Sequence, residues 1–429
     1  MKKVIIVASQ FPPNNLTAVH RSRYFAMHLE KFGWKSKVIS VEPSYYEETL
    51  DYEIEALVPP DVEVIRTKAI SSRLSRIFGI GDISLRALWC QYRTLCKIVK
   101  REKVDLLFIT IPPNYSALLG PLIFKKFKTP YVIDYQDPWV YSWYGSKIPF
   151  SKAWFSYHLG CLLEPIVLRH VSLITSVAPS YYAETLKRYP WISDIPRAAM
   201  PLGAEKKDFQ YLEKYPRPPY LFDPHDGCFH FVYAGSMFTY TVQALLKGFL
   251  IFKKSHPHIA QKVKFHFIGT SGLYIDSAAS RTKQMTERYD ISDAVCEYPT
   301  RIPYIDVLNH LKHASAVIIF GSQEPHYTPS KVFQAVLSRR PIMALLYAKS
   351  TAVDVLKASN AGIVVTFDEK KPENTFIDEI CVALYSIINS VYSPEKVNWE
   401  AFNAYSAEAM TEKLACAFDD LLKGEKREH

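Results

Sequence analysis

The segment Phe320-Gly-Ser-Gln-Glu-Pro-His-Tyr-Thr-Pro-Ser-Lys331-Val-Phe-Gln334 carries the densest chemistry in the chain. An apolar run ends in a polar loop, and a helix is expected from Pro329 or Ser330, where proline suits the first turn. Ser330 and Lys331 would stand in that turn, where backbone N–H groups and an ammonium can meet one phosphate. Gln334 lies one turn further on the same side. A second candidate is Phe231-Val-Tyr-Ala-Gly-Ser-Met237. There Gly235 and Ser236 end a strand and let the backbone approach a phosphate closely.

Two further segments suit a sugar better than a phosphate. Thr129-Pro-Tyr-Val-Ile-Asp-Tyr-Gln-Asp-Pro-Trp139 delivers Asp134 and Asp137 to a strand end beside Trp139 and Trp143. Sugar hydroxyls need acceptors and sugar C–H faces need an apolar platform. The same residues also fit plain turn chemistry, with Asp134 capping the turn and Asp137 opening it before a proline. The loop Ser9–Ala18 ends one strand and opens a helix, a usual place for a ligand in an open α/β sheet. It has no glycine, so it is not a dinucleotide fingerprint. Its Asn14 and Asn15 either contact a ligand or cap the helix.

These segments need a scaffold of alternating strands and helices. Short apolar runs, rather than alternating ones, mark strands covered on both faces. In the first half they are Val4–Ser9, Ser36–Val41, Val62–Thr67, Val104–Ile109, Tyr131–Asp134 and Ser172–Val177. Helices are expected at Leu16–Phe32, Ile83–Lys103, Tyr115–Lys126, Ser151–Arg169 and Ser180–Arg188. The alternation restarts with strands Phe229–Ala234, Val263–Ile268, Ala316–Phe320, Pro341–Leu345 and Gly362–Val365. Such an order implies parallel sheets with crossover helices. The expected division is a first domain over 1–204, a proline-rich linker over 205–227, a second domain over 228–395 and a closing helical segment over 396–429. In that last segment Trp399, Phe402, Met410, Leu414, Phe418 and Leu421 recur near a helical period.

Composition narrows the class. At 429 residues, 48% hydrophobic and 22% charged, the chain reads as globular and multi-domain. No run reaches the roughly 18 to 20 apolar residues that a membrane span needs. The opening Met1–Val7 reads as a buried strand rather than a leader, so a cytoplasmic protein is expected. Seven scattered cysteines without a CxxC pair argue against structural zinc or a disulfide framework. The net charge of +9 lies wholly within residues 1–204, and residues 66–103 hold ten basic residues against two acidic ones. That basic segment, with Leu74, Ile77, Phe78, Leu85, Leu88 and Trp89, suits an anionic membrane surface; it equally suits a solvated helix face. No nucleic-acid recognition motif accompanies it, and no nucleic-acid partner is expected.

The ordered set Phe11-Pro-Pro13, Ile111-Pro-Pro-Asn114, Val132–Trp139, Met200-Pro-Leu-Gly203, Tyr233-Ala-Gly-Ser236 and Pro329–Gln334 followed by Pro341 resembles the glycosyltransferase 4-like enzymes. The likeness covers almost the whole chain and points to the bacterial polysaccharide branch. It implies a GT-B fold, two Rossmann-like domains facing across a cleft, with the closing helix crossing back to the first. It implies retaining, metal-independent transfer from a nucleotide sugar, UDP- or GDP-linked, with no other cofactor; the chain has no Asp-x-Asp motif. Donor binding is then expected at Gly235, Ser236, Glu324, Thr328, Ser330, Lys331 and Gln334, with Arg301 as a further cation for the diphosphate. Acceptor binding falls to Asn14, Asn15, Asn114, Asp134 and Trp139, and catalysis to Asp137.

The chain departs from the pattern in places. Gln334 stands where the family has a ribose-binding glutamate, and Met237–Tyr240 where an arginine and a lysine commonly grip the diphosphate. His326 falls where a second glutamate is usual, and Leu202 replaces the asparagine before Gly203. The expected activity is transfer of a sugar to a glycan or lipid-linked saccharide in bacterial surface polysaccharide or glycolipid synthesis, at the inner face of the membrane. The altered diphosphate and ribose positions leave a different class open, a GT-B-shaped binding or scaffold protein without catalysis.

Overall fold

The computed structural model describes residues 1–142, 144–270, 278–323 and 329–425. They form two compact units. The first comprises 1–203 together with the segment from Ala407; the second is the continuous stretch 204–406.

The first unit holds seven parallel strands: β1 (Lys2–Val7), β2 (Trp34–Val41), β3 (Glu63–Thr67), β4 (Leu106–Ile111), β5 (Tyr131–Tyr135), β6 (Leu173–Ser176) and β7 (Arg197–Ala199). Their order is β3-β2-β1-β4-β5-β6-β7. β4 and β5 are buried along their whole length, as continuous apolar runs require. Helices Ile83–Arg101, Leu119–Phe127 and Lys152–Leu168 share one apolar core on one face of this sheet. The helices Thr17–His28 and Ala407–Glu425 share another. Phe418 sits in the second of these cores, its ring 5.1 Å from Trp34 and 5.6 Å from Phe108, both edge-on. Asp419, beside it, accepts from Trp34 Nε1 at 2.9 Å.

The second unit has six parallel strands: β8 (Phe229–Ala234), β9 (Val263–Ile268), β10 (Val295–Tyr298), β11 (Ala316–Phe320), β12 (Ile342–Tyr347) and β13 (Ile363–Phe367). The order is β10-β9-β8-β11-β12-β13. β1, β4 and β5 in one sheet, and β8, β9 and β11 in the other, therefore end centrally, where ligands of open parallel sheets bind.

Two expectations about boundaries need correction. The stretch 205–227 is not a free linker: Lys206–Lys214 is helical, and Tyr304 Oη donates to Asp208 at 2.8 Å. The N–H groups of Tyr220 and Leu221 donate to His310 Nε2 at 3.3 and 3.2 Å, and Phe222 stacks on His230 with centroids 4.5 Å apart. Nor is the closing segment one helix. Trp399–Asn403 is a short helix of the second unit, and a new helix, Ala407–Glu425, starts in the first. Gly203, in the left-handed region at φ 89°, packs so tightly that an added Cβ would meet the Ala407 backbone at 3.1 Å.

Candidate functional site

In the second unit the strand ends gather a cationic site. β8 delivers Gly235 and β9 delivers Gly269, both at positive φ (152° and 68°) that favour glycine. Gly235 N–H donates to Ile268 O at 2.9 Å, and Gly269 N–H to Tyr298 O at 2.7 Å, which ties the ends of β8, β9 and β10 together. An added Cβ on Gly235 would stand 3.6 Å from Lys331 Cε; one on Gly269 would stand 3.7 Å from Arg301 Cγ. Each glycine thus lies beside one of two cations.

Those cations act on each other. Burial, and then the positive charge of Arg301, lower the Lys331 ammonium from 10.5 to about 8. A cation held next to another cation, and partly withdrawn from water, gains most from an incoming anion. Ser236 is exposed beside Gly235, and Tyr233 Oη donates to Ser236 O at 2.6 Å, fixing the turn.

Lys331 is the first residue of the helix Lys331–Leu337, with Ser330 as its N-cap. This start is one or two residues later than expected, and seven residues carry only a modest dipole, so the side chain supplies most of the positive field. Gln334, 6% exposed, leaves its Oε1 buried and without a hydrogen bond among the described residues. A buried amide oxygen in that state is an acceptor waiting for a donor. Glu324 and Thr328, with His326, lie outside the described residues.

In the first unit the acceptor candidates separate. Asp134 is corrected: it is fully buried, and Arg21 grips it through Nε–Oδ2 at 2.7 Å and Nη2–Oδ1 at 2.8 Å, while Thr175 Oγ1 donates at 2.6 Å. A carboxylate fully buried and already accepting three hydrogen bonds is out of a sugar's reach. Asn14 is corrected likewise: fully buried, it accepts from Leu16 N–H at 2.9 Å and donates to Glu48 at 3.2 Å, so it braces its own loop. Trp139 is no open platform either. Only 9% exposed, it packs edge-on to Tyr115 at 6.2 Å. Trp143 lies outside the described residues.

Asn15 and Asn114 are half-buried, at the ends of β1 and β4 respectively. Asp137 follows β5 and its side chain reaches solvent, yet enough protein surrounds the carboxyl that desolvation raises it from 3.8 to about 6. Among the described residues no group of three or more His, Cys, Asp or Glu side chains could hold a metal ion.

Sequence reasoning missed Gly269 and Arg21. Ile268-Gly269-Thr270 repeats the pattern of Ala234-Gly235-Ser236, a glycine straight after a buried strand, and that was the available signal. Arg21 gave none, since its partner is 113 residues away.

No family model matches the chain, and no curated protein matches it. Solved structures do. Sucrose-phosphate synthase from Thermosynechococcus elongatus aligns over 99% of this chain and 100% of its own, at 13% identity and TM-score 0.62. HepE of Anabaena, in complex with UDP and glucose, aligns over 98% and 100%, at 11% identity and TM-score 0.63. The trehalose-6-phosphate synthase OtsA aligns over 98% and 99%, at 9% identity and TM-score 0.68. The chain therefore has the GT-B fold of two parallel-sheet, Rossmann-like domains, as its sequence led us to expect.

Proposed function

We propose that the protein is a glycosyltransferase that takes a sugar from a nucleotide-sugar donor. The observation that carries this reading is the placement of Lys331 beside Gly235 and of Arg301 beside Gly269, past the carboxyl ends of β8 and β9, with the charge of Arg301 felt at the Lys331 ammonium. Two cations beside strand-end glycines suit a diphosphate, and neutralising a leaving nucleoside diphosphate lowers the barrier to its departure. The unsatisfied Gln334 Oε1 can accept from a ribose hydroxyl. The resemblance to HepE, solved in complex with UDP and glucose, supports a donor of the UDP class; GDP is the second candidate.

The finer reading is a member of the glycosyltransferase 4-like group in bacterial surface polysaccharide or glycolipid synthesis, retaining and metal-independent. Its acceptor is a glycan or a lipid-linked saccharide, with Asp137 positioning the incoming hydroxyl and relaying its proton. Asn15 and Asn114 are the remaining acceptor contacts. Location at the inner face of the membrane belongs to the same reading, with residues 66–103 contributing. There Ile77 and Trp89 are 76% and 64% exposed, while Arg86 is spent inside on the carbonyls of Ile70 and Tyr45.

Calorimetric titration with UDP, GDP, CMP and dTDP tests the donor assignment. UDP or GDP is expected to bind, and absence of binding by all four rejects the proposal.

A further inference from the structure

Single exposed apolar side chains are ordinary; a row of them on a helix is not. The helix Lys152–Leu168 exposes Phe155, Leu159, Leu162 and Ile166 at 55%, 39%, 64% and 51%. Steps of four, three and four residues put all of them on one face. The row continues upstream through Phe150, 78% exposed, whose ring meets those of Trp154 and Phe155 at 5.6 and 6.4 Å.

The helix cannot roll to hide this face, because its other side is fixed. Val167 and Leu168 are fully buried in the core, and Gly160 packs on Val140 and Trp139. Glu164, also buried, accepts from Tyr135 Oη at 3.1 Å and from Arg188 at 2.8 Å. Turning the row inward would drag this carboxylate and its partners apart.

Charge distinguishes between occupants. The exposed formal charges over 144–170 are Lys147, Lys152 and Arg169; the single carboxylate there is the buried Glu164. On the helix packed alongside, Leu119–Phe127, Leu122, Lys125 and Lys126 are exposed and no acid is present. A second copy of the same face would bring the like charges of these two segments together, with no exposed carboxylate in either to offset them. A layer of anionic headgroups over acyl chains complements both the cations and the apolar row.

We propose that this face is a docking surface for an anionic lipid bilayer, with Phe155, Leu159, Leu162 and Ile166 seated at the acyl boundary and the flanking lysines on the headgroup phosphates. The attachment is interfacial, since among the described residues no helix is long and apolar enough to cross a membrane. It goes beyond the proposed donor chemistry and does not depend on it, because none of these residues belongs to the nucleotide site.

Flotation of the full chain on phosphatidylcholine vesicles, with and without phosphatidylglycerol, tests it. The wild type is expected to float with the anionic vesicles, and the Leu162→Ser/Ile166→Ser variant to bind them at least ~10-fold more weakly with an unchanged melting midpoint. Lys147→Ala/Lys152→Ala is expected to weaken binding only where phosphatidylglycerol is present. Three results would overturn the inference: no flotation of the wild type, equal flotation of the serine variant, or a wild-type dimer in sedimentation velocity that Leu162→Ser abolishes. Nucleotide titration of the same serine variant separates this outcome from failure of the donor site.

Discussion

Arg21 and Asp134 form a two-pronged ion pair inside the first unit, both side chains fully buried. Arg21 also donates to Met200 O at 2.7 Å and Pro201 O at 3.2 Å, so one guanidinium joins the first helix, the end of β5 and the stretch leading to Gly203. Asp134→Ala leaves that guanidinium charged and without its carboxylate, at a cost of roughly 3–5 kcal/mol. Chemical denaturation is expected to show this loss, while nucleotide affinity in the second unit stays unchanged.

Lys331→Ala is expected to weaken nucleotide binding about 10- to 100-fold, the value of a charged hydrogen bond of about 1.5–3 kcal/mol. Because the ammonium titrates near 8 in the free protein, affinity should hold below that pH and fall above it as the proton is lost. Lys331→Arg, which stays charged, should remove the decline. Isothermal titration between pH 7 and pH 9 reads both effects.

Asp137 makes two separable predictions. Its carboxyl is raised from 3.8 to about 6, so the folded state holds the proton more tightly than the unfolded one. Stability should therefore fall as pH rises across that interval, and Asp137→Asn should raise the melting midpoint relative to wild type at pH 7 but not at pH 3. Turnover that needs the carboxylate should instead rise with pH through about 6, and Asp137→Asn should lower it about 10²- to 10⁴-fold.

His266 should make the second unit acid-sensitive. Burial first, then the neighbouring His230 and His310, lower its imidazole from 6.5 to about 4. The unfolded chain takes up the proton earlier, so the contribution is complete above 6.5 and drains away as pH falls toward 4. Its Nε2 pairs with His230 Nδ1 at 2.9 Å, and that contact should fail first. The melting midpoint of the second unit, followed from pH 7 to pH 4, checks the direction.

Phe418→Ala should cost about 3–5 kcal/mol, since the ring is fully buried between Trp34 and Phe108 and its removal leaves a cavity. A lower denaturation midpoint is the expected readout.

The central strands were legible because local composition determines them. β8, β9 and β11 run over Phe229–Ala234, Val263–Ile268 and Ala316–Phe320, the bounds their apolar runs indicate. The edge strands β7 and β10 escaped notice because Arg197-Ala-Ala199 and Val295-Cys-Glu-Tyr298 are short and partly exposed, so little apolar pattern marks them. The site divides in the same way. Gly235 and Lys331 announce themselves by type and position, whereas the fates of Asp134 and Asn14 depend on Arg21 and Glu48, distant in sequence. Trp139 shows a related limit: an aromatic ring beside a carboxylate reads as a sugar platform until tertiary packing closes over it.

The chain enters the second unit at 204 and leaves it at 406, while the first unit is assembled from both sides of that insert. During synthesis the second unit can therefore fold as soon as it has emerged. The first must wait with its Trp34 and Phe108 face uncovered. At about 5–20 residues per second, making the 203 residues of the insert takes on the order of 10–40 s. Over that interval an apolar sheet face is available to chaperones, or to other nascent chains, until the helix carrying Met410, Leu414 and Phe418 arrives to cover it.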